Sequence, residues 1–349
     1  MTKEILARPA TDPTPLFEHY RGSYGTELLV AAVAHLNVFQ HLQNGGLSAE
    51  QLRSALALEE RPFTVLICAL KAMGALRLAG EKIELTPLTE EHLLTGRPGD
   101  VSDYFGLAAQ SPGVLEMVQR LRTNRPANAD AEEGGAAFIF RDGLESAMEK
   151  EATARHFTLA LAGRAKNVAP VLADVLPLPS AQRVLDVAGG TGIYSVALLQ
   201  KNPNLTAVVL DRPEVLKITR EFAEKYGVAD RLECRAGDMF ADPLPTDCDV
   251  VLLSNVLHDW DVPECRLLVQ KCADALPAGG KLWIHDVFLS DALDGPLPIA
   301  LYSAALFTLT EGRAYSAAEY RSWLVEAGLT PRGLTPTLIH CGVLEAVKA

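Results

Sequence analysis

What is scarce in these 349 residues narrows the field first. The six cysteines, Cys68, Cys234, Cys248, Cys265, Cys272 and Cys341, include no CxxC pair, which excludes the common redox and zinc motifs and predicts reduced thiols. No apolar run approaches the roughly 18 residues of a membrane span. The start, Met1 to Pro15, carries acidic and proline residues where a signal peptide would be apolar. Positive charge is short as well: 32 Lys and Arg against 44 Asp and Glu give a net charge of -12, which repels nucleic-acid phosphate and anionic lipid alike. The expectation is a cytoplasmic protein with a small-molecule ligand and no nucleic acid, membrane or metal partner.

What is present, 48% hydrophobic residues over this length, predicts a large core and more than one domain. Residues 1–100 read as mostly helical. Within them Ser48 caps a helix to Leu56, Pro62 opens another to Met73, and Gly74 and Gly80 bracket a short run before the strand-like Lys82 to Thr86. That order is helix, turn, helix, wing. The second helix offers Arg61 and Lys71 as its basic residues, too few to neutralise several phosphates, so packing or dimerisation fits it better than DNA binding. Residues 101–180 read as a helical connector lining an acceptor pocket, with a polar interruption at Asn124 to Gly135, long helix from Leu144 to Leu176, and a proline-rich end at Leu176 to Pro179.

From residue 181 to 349 the rhythm becomes strand then helix, which predicts an α/β, doubly wound sheet. Strands are expected at Arg183 to Val187, Ala207 to Asp211, Arg231 to Arg235, Val250 to Ser254 and Lys281 to Val287. Thr337 to Ala346 alternates around Gly342 and is expected to form an antiparallel edge hairpin or the last strand of the sheet. The first strand ends in Asp186-Val187-Ala188-Gly189-Gly190-Thr191-Gly192 and leads into a helix. Glycines there admit a ligand to the backbone, and the helix N-terminus presents free N–H groups. Asp186 would repel a pyrophosphate but suits the cationic amino-acid end of S-adenosylmethionine. Asp211, ending the second strand, suits ribose hydroxyls of any nucleoside. Asp238, Met239 and Phe240 follow the third strand, a carboxylate for an exocyclic adenine amine and an apolar pair for the base.

With these residues the chain resembles the plant-type O-methyltransferase family, including its bacterial natural-product branch. The resemblance spans nearly the full length and rests on the winged-helix segment, the Asp186 to Gly192 loop, Asp211-Arg212-Pro213-Glu214-Val215, Gly237 to Phe240, and above all Asn255-Val256-Leu257-His258-Asp259-Trp260. It implies a class I methyltransferase Rossmann-like domain with an N-terminal winged-helix dimerisation domain, a homodimer, and an aromatic small-molecule acceptor. It further implies S-adenosylmethionine held by Asp186, Gly189, Gly190, Gly192, Asp211, Asp238, Met239, Phe240, Ser254 and Trp260, with His258 as the proton acceptor. A general base of ordinary pKa near 6.5 working on a phenol near 10 contributes about 10² to 10⁴ in rate.

Two departures keep alternatives open. The family orients its histidine with two acids: Asp286 matches one in place, though shorter than the usual glutamate, and Ala314 stands where the second is expected. O-methylation therefore stands beside C- or N-methylation, and beside use of the cofactor without methyl transfer. A nicotinamide oxidoreductase leaves Asp186 and His258 without a task, and a winged-helix regulator conflicts with the acidic charge. The acceptor pocket is expected between the sheet edge and helices at about Met148 to Ala165 and Leu301 to Thr310, with Phe157 and Phe307 either core or substrate stack.

Overall fold

A computed structural model describes residues 4–125, 151–176, 178 and 182–349. The expected helix start near Leu144, Met148, most of the Asn124 to Gly135 interruption and both prolines of the 176–179 boundary lie outside them. The chain divides into two compact units. One comprises Met1–Phe17, Glu145–Phe288 and Ala317–Ala349; the other comprises Glu18–Leu144 and Leu289–Ser316.

In chain order, α1 (Thr14–Arg21) and α2 (Gly25–Val30) are followed by α3 (Val38–His41). Then come β1 (Leu47–Ser48), α4 (Ala49–Leu56), α5 (Glu60–Ala72), β2 (Leu76–Ala79) and β3 (Lys82–Leu85). These strands form a three-stranded antiparallel sheet, β1-β3-β2, with Leu76 opposite Leu85. Ser48 and Gln51 cap α4 reciprocally, each side chain bonded to the other's backbone N–H at 3.2 and 3.0 Å. Helix α5 starts two residues before Pro62, because a residue in the first turn needs no N–H donor. Helix, helix and wing are thus present. The unit continues with α6 (Pro87–His92), α7 (Ser102–Gly106) and α8 (Pro112–Thr123), which ends on Asn124 at φ 55.

The other unit holds α9 (Glu151–Val175), then β4 (Arg183–Val187), α10 (Ile193–Lys201), β5 (Thr206–Asp211), α11 (Pro213–Lys225), β6 (Leu232–Ala236), β7 (Val250–Ser254), α12 (Val262–Ala275) and β8 (Lys281–Leu289). Helix α13 (Leu297–Leu309) returns to the unit of Glu18–Leu144, where Ala304 and Phe307 join its core with Leu28, Leu66 and Leu70. Phe307 is fully buried there, so it is core. The short β9 (Tyr315–Ser316), α14 (Ala317–Glu326), β10 (Leu329–Pro336) and β11 (Cys341–Lys348) complete the chain.

The large sheet runs β10-β11-β8-β7-β4-β5-β6, parallel from β8 to β6 and antiparallel at the β11 and β10 edge. The buried parallel strands read as near-continuous apolar runs because both faces are covered. Of the two expectations for this segment the last strand holds: Gly342 lies inside β11, and the hairpin with β10 turns at 337–340, where Ile339 and His340 have φ near 57 and 58. Gly342 is needed for close approach instead, since a Cβ there would sit 3.0 Å from the Leu334 side chain and 3.1 Å from the Thr335 carbonyl. Among the described residues no helix is long and apolar enough to cross a membrane, and no group of three or more His, Cys, Asp or Glu could hold a metal ion.

Candidate functional site

The carboxyl ends of β4, β5, β6, β7 and β8 bring most of the sequence-predicted residues together, as the switch point of an open parallel sheet should. After β4 the chain turns through Ala188, Gly190 and Gly192 at φ 54, 60 and 67, the last capping α10. Gly189 passes so close to the strands that a Cβ would lie 2.7 Å from Asp186 Cγ and 2.9 Å from Val209. Asp186 is fully buried. Its Oδ2 accepts the Ser195 hydroxyl at 2.7 Å, while Oδ1 is buried without a hydrogen-bond partner. Burial pushes its carboxyl up to about 7, against the Ser195 bond and with the charge of Asp211 adding to the rise.

Asp211, closing β5, accepts the Gly190 N–H at 2.8 Å and the Arg212 N–H at 2.7 Å, so it ties the glycine turn to the second strand. Burial raises it to about 6 despite those two bonds. Thr219 on α11 donates to the Gly190 carbonyl at 2.6 Å and closes the turn from behind. Asp238 accepts the N–H groups of Phe240 and Ala241 and pairs with Arg212 at 3.0 Å. Partial burial acts upward on it, but these partners hold it below the ordinary carboxylate range. The Phe240 ring meets Trp260 edge to face at 4.8 Å, and the half-buried Met239 sits beside it in the chain.

Beyond β7, Asn255 takes φ 57 and a single 3-10 turn, Leu257–Asp259, carries His258. His258 is 5% exposed. Its Nδ1 meets Asp286 Oδ1, inside β8, at 2.5 Å, and its Nε2 lies 3.6 Å from Asp259. Burial lowers the imidazole pKa, yet Asp286, Asp259 and the hydrogen bond outweigh burial and the Arg164 charge, leaving it above the ordinary value. Asp286 is itself held below the usual range: burial opposes ionisation, but His258 and the Val287 N–H overcome it. Burial drives Asp259 up to about 6, with His258 pulling the other way.

Ser254 is engaged within the protein: its Oγ lies 2.8 Å from His285 Nδ1 and accepts from Asn255 at 3.1 Å. His285 is buried, bridges to Thr337 and is lowered to about 3 by burial and Arg164, so it stays neutral. Sequence reasoning passed over Ser195, Arg212, Thr219, His285 and Tyr320, the last of which donates to Asp286 Oδ2 at 3.2 Å. Only Arg212 and Ser195 stood next to recognisable motifs; the others lie on elements distant in sequence from the groups they serve.

Comparison with known proteins identifies the family. Residues 136–330 match the model of the O-methyltransferase domain family. The chain is 32% identical over 350 residues to 3-hydroxy-5-methyl-1-naphthoate 3-O-methyltransferase of Streptomyces sahachiroi, covering 97% of this chain and 96% of that one. It is 28% identical to L-tyrosine C(3)-methyltransferase of Streptomyces lavendulae, over 86% and 82% of the two chains. Among solved structures, an O-methyltransferase family 2 protein from Planctomyces limnophilus in complex with apigenin superposes with a TM-score of 0.91 at 48% identity, covering 100% of this chain and 99% of that one.

Proposed function

This chain belongs to the S-adenosylmethionine-dependent O-methyltransferase family, and from that premise we propose that it methylates a phenolic hydroxyl of a small aromatic acceptor, with His258 as general base. The residues fit the cofactor. Gly189 opens a cradle that a Cβ would fill, and Asp186 presents a buried oxygen with no partner of its own, suited to a cationic group. Asp211 has acceptor capacity left for ribose hydroxyls, and Asp238, Met239, Phe240 and Trp260 stand where the adenine would lie. Gly190 and Gly192 shape the turn beneath. Bound there, the cofactor supplies a methyl group on an electrophilic sulfonium centre.

The observation that carries the assignment of the base is the His258–Asp286 bond. With Nδ1–H donated to an ionised carboxylate, the neutral imidazole keeps its lone pair on Nε2, the nitrogen that would take the acceptor's hydroxyl proton. Once His258 is protonated, Asp286 on one nitrogen and Asp259 near the other stabilise the cation. Both relatives act on hydroxylated aromatics by their names, and apigenin is itself a phenol, which supports an aromatic acceptor here. The C(3)-methylating relative and Ala314 favour testing ring carbon as well as oxygen.

We further propose residues 1–100 as a dimerisation domain, 101–180 as a connector and 181–349 as the catalytic domain of a homodimer. Leu78, Leu88, Tyr104 and Leu107 are more than half exposed, and an apolar hollow of about 310 Å³ among Leu29, Met73, Leu88, Leu93 and Phe105 lies in the same unit. None of the six cysteines, all among the described residues, forms a disulfide, which supports a cytoplasmic location. The test is turnover of a phenol panel with ¹³C-methyl S-adenosylmethionine, products assigned by NMR, on protein whose mass is checked by light scattering. Turnover that drops about 10² to 10⁴-fold in His258→Ala supports the base. Full activity in that variant, methyl on carbon, or a monomeric mass would each overturn its own part of the reading.

A further inference from the structure

Asp286 is a shorter acid than the family pattern leads one to expect, and Ala314 supplies no second carboxylate. The geometry shows what else holds Asp286. Its Oδ1 takes two donors, the Val287 N–H at 2.8 Å and His258 Nδ1. Both bonds end on the same oxygen, so they restrain the carboxylate plane from one side only, and a partner on Oδ2 adds restraint from the other. Oδ2 is pinned separately, by the Tyr320 hydroxyl at 3.2 Å. The tyrosine is fully buried on α14, and its ring stands edge-on to Phe288 at 5.4 Å and Trp323 at 5.3 Å, so the hydroxyl is delivered from a fixed direction.

We propose that Tyr320 is a positioning residue for methyl transfer: its hydroxyl fixes the plane of the Asp286 carboxylate and through it the ring of His258, the role left vacant by Ala314. Tyr320 acts through its hydrogen bond to Asp286. The inference rests on His258 being the base. The charged groups facing that histidine are Asp286 on β8, Asp259 on its own turn and Arg164 on α9. Removing the tyrosine hydroxyl leaves all three in place and changes only the hydrogen bonding of Asp286. Withdrawing a hydrogen-bond donor concentrates negative charge on Asp286, which strengthens its hold on the imidazolium.

The test is Tyr320→Phe, which keeps the ring and its packing. A loss of one hydrogen bond to a buried carboxylate predicts kcat lower by roughly 10-fold. KM for S-adenosylmethionine should stay within about twofold, because no cofactor contact changes. The acid limb of the kcat profile moves to higher pH. In an Asp286→Asn background the same change costs less than about twofold, since the residue through which it acts is no longer a charged acceptor. Proton NMR of histidine-labelled protein gives a readout independent of turnover: the low-field His258 Nδ1–H signal shifts in Tyr320→Phe. An unmoved signal, an unmoved acid limb, or an equal loss in the Asp286→Asn background would overturn the positioning role. A shifted signal with unchanged kcat would instead sink the assignment of His258 as base.

Discussion

Substituting alanine at two glycines gives effects of opposite sign, and the structure fixes both. At Gly189 the added Cβ would lie 2.7 Å from Asp186 Cγ, 2.8 Å from its Oδ2 and 2.9 Å from Val209 Cγ1. Asp186 and Val209 are both fully buried on strands, and the Asp186 oxygen is tethered to Ser195, so no flexible chain end can yield. Forcing a methyl group into such packing costs about 1 to 3 kcal/mol. For a protein of this size that lowers Tm by roughly 1 to 4 °C. At Gly163, on α9, nothing lies within 4 Å of the new Cβ. Replacing a helical glycine there should stabilise by about 0.5 to 1 kcal/mol, raising Tm by roughly 1 °C. Thermal melts with and without S-adenosylhomocysteine separate packing from binding. Ligand at 100 times its Kd contributes about 2.7 kcal/mol to the wild type, and Gly189→Ala should lose most of that increment while Gly163→Ala keeps it. If Gly189→Ala melted with the wild type and kept its full ligand-induced rise, the tight approach of loop and strands would be wrong.

Two predictions concern protons. Because Asp286 and Asp259 outweigh burial and hold His258 above the ordinary imidazole pKa, the base becomes competent only as pH rises through that raised value. Asp286→Asn removes the nearer negative charge, so the acid limb of kcat/KM should move to lower pH while the plateau falls as the fixed tautomer is lost; a limb that stays in place refutes the coupling. Asp186 lies near pH 7 in the ligand-free protein because it is buried, and a cationic ligand beside it favours the ionised form. Binding of S-adenosylmethionine at pH 7 should therefore release about half a proton, read from calorimetry in buffers of differing ionisation enthalpy. Asp186→Asn should abolish the release, and an undiminished release in that variant would place the proton elsewhere.

How far the sequence reaches depends on what kind of geometry a feature needs. The strands from Arg183 to Leu289 were legible because a parallel strand covered on both faces is an unbroken apolar run, and because glycines and acids at its end mark the ligand edge by position alone. Asp186, Gly189, Asp211 and Asp238 fall out of that rule. At Gly342 turn and strand both stayed open, since the same residue serves a turn and a close backbone approach, and only the partner strand distinguishes them. Helix α13 was legible as a helix near Leu301 to Thr310, but its return to a unit begun more than two hundred residues earlier was not, since it is apolar on all sides.

The support of the histidine is the harder case, and it shows why reading a motif position by position falls short. At residue 314 the expected acid is absent, and a sequence comparison scores that as a loss. The hydrogen bond that meets the second oxygen of Asp286 comes from residue 320, on a different element and of a different chemical type. Shortening the acid to aspartate and placing a hydroxyl opposite it are one change in space but two unrelated changes in sequence. A donor supplied from another backbone position leaves no mark in the motif it completes. Only the packing of α14 against β8, with Tyr320 edge-on to Phe288, makes the pair visible.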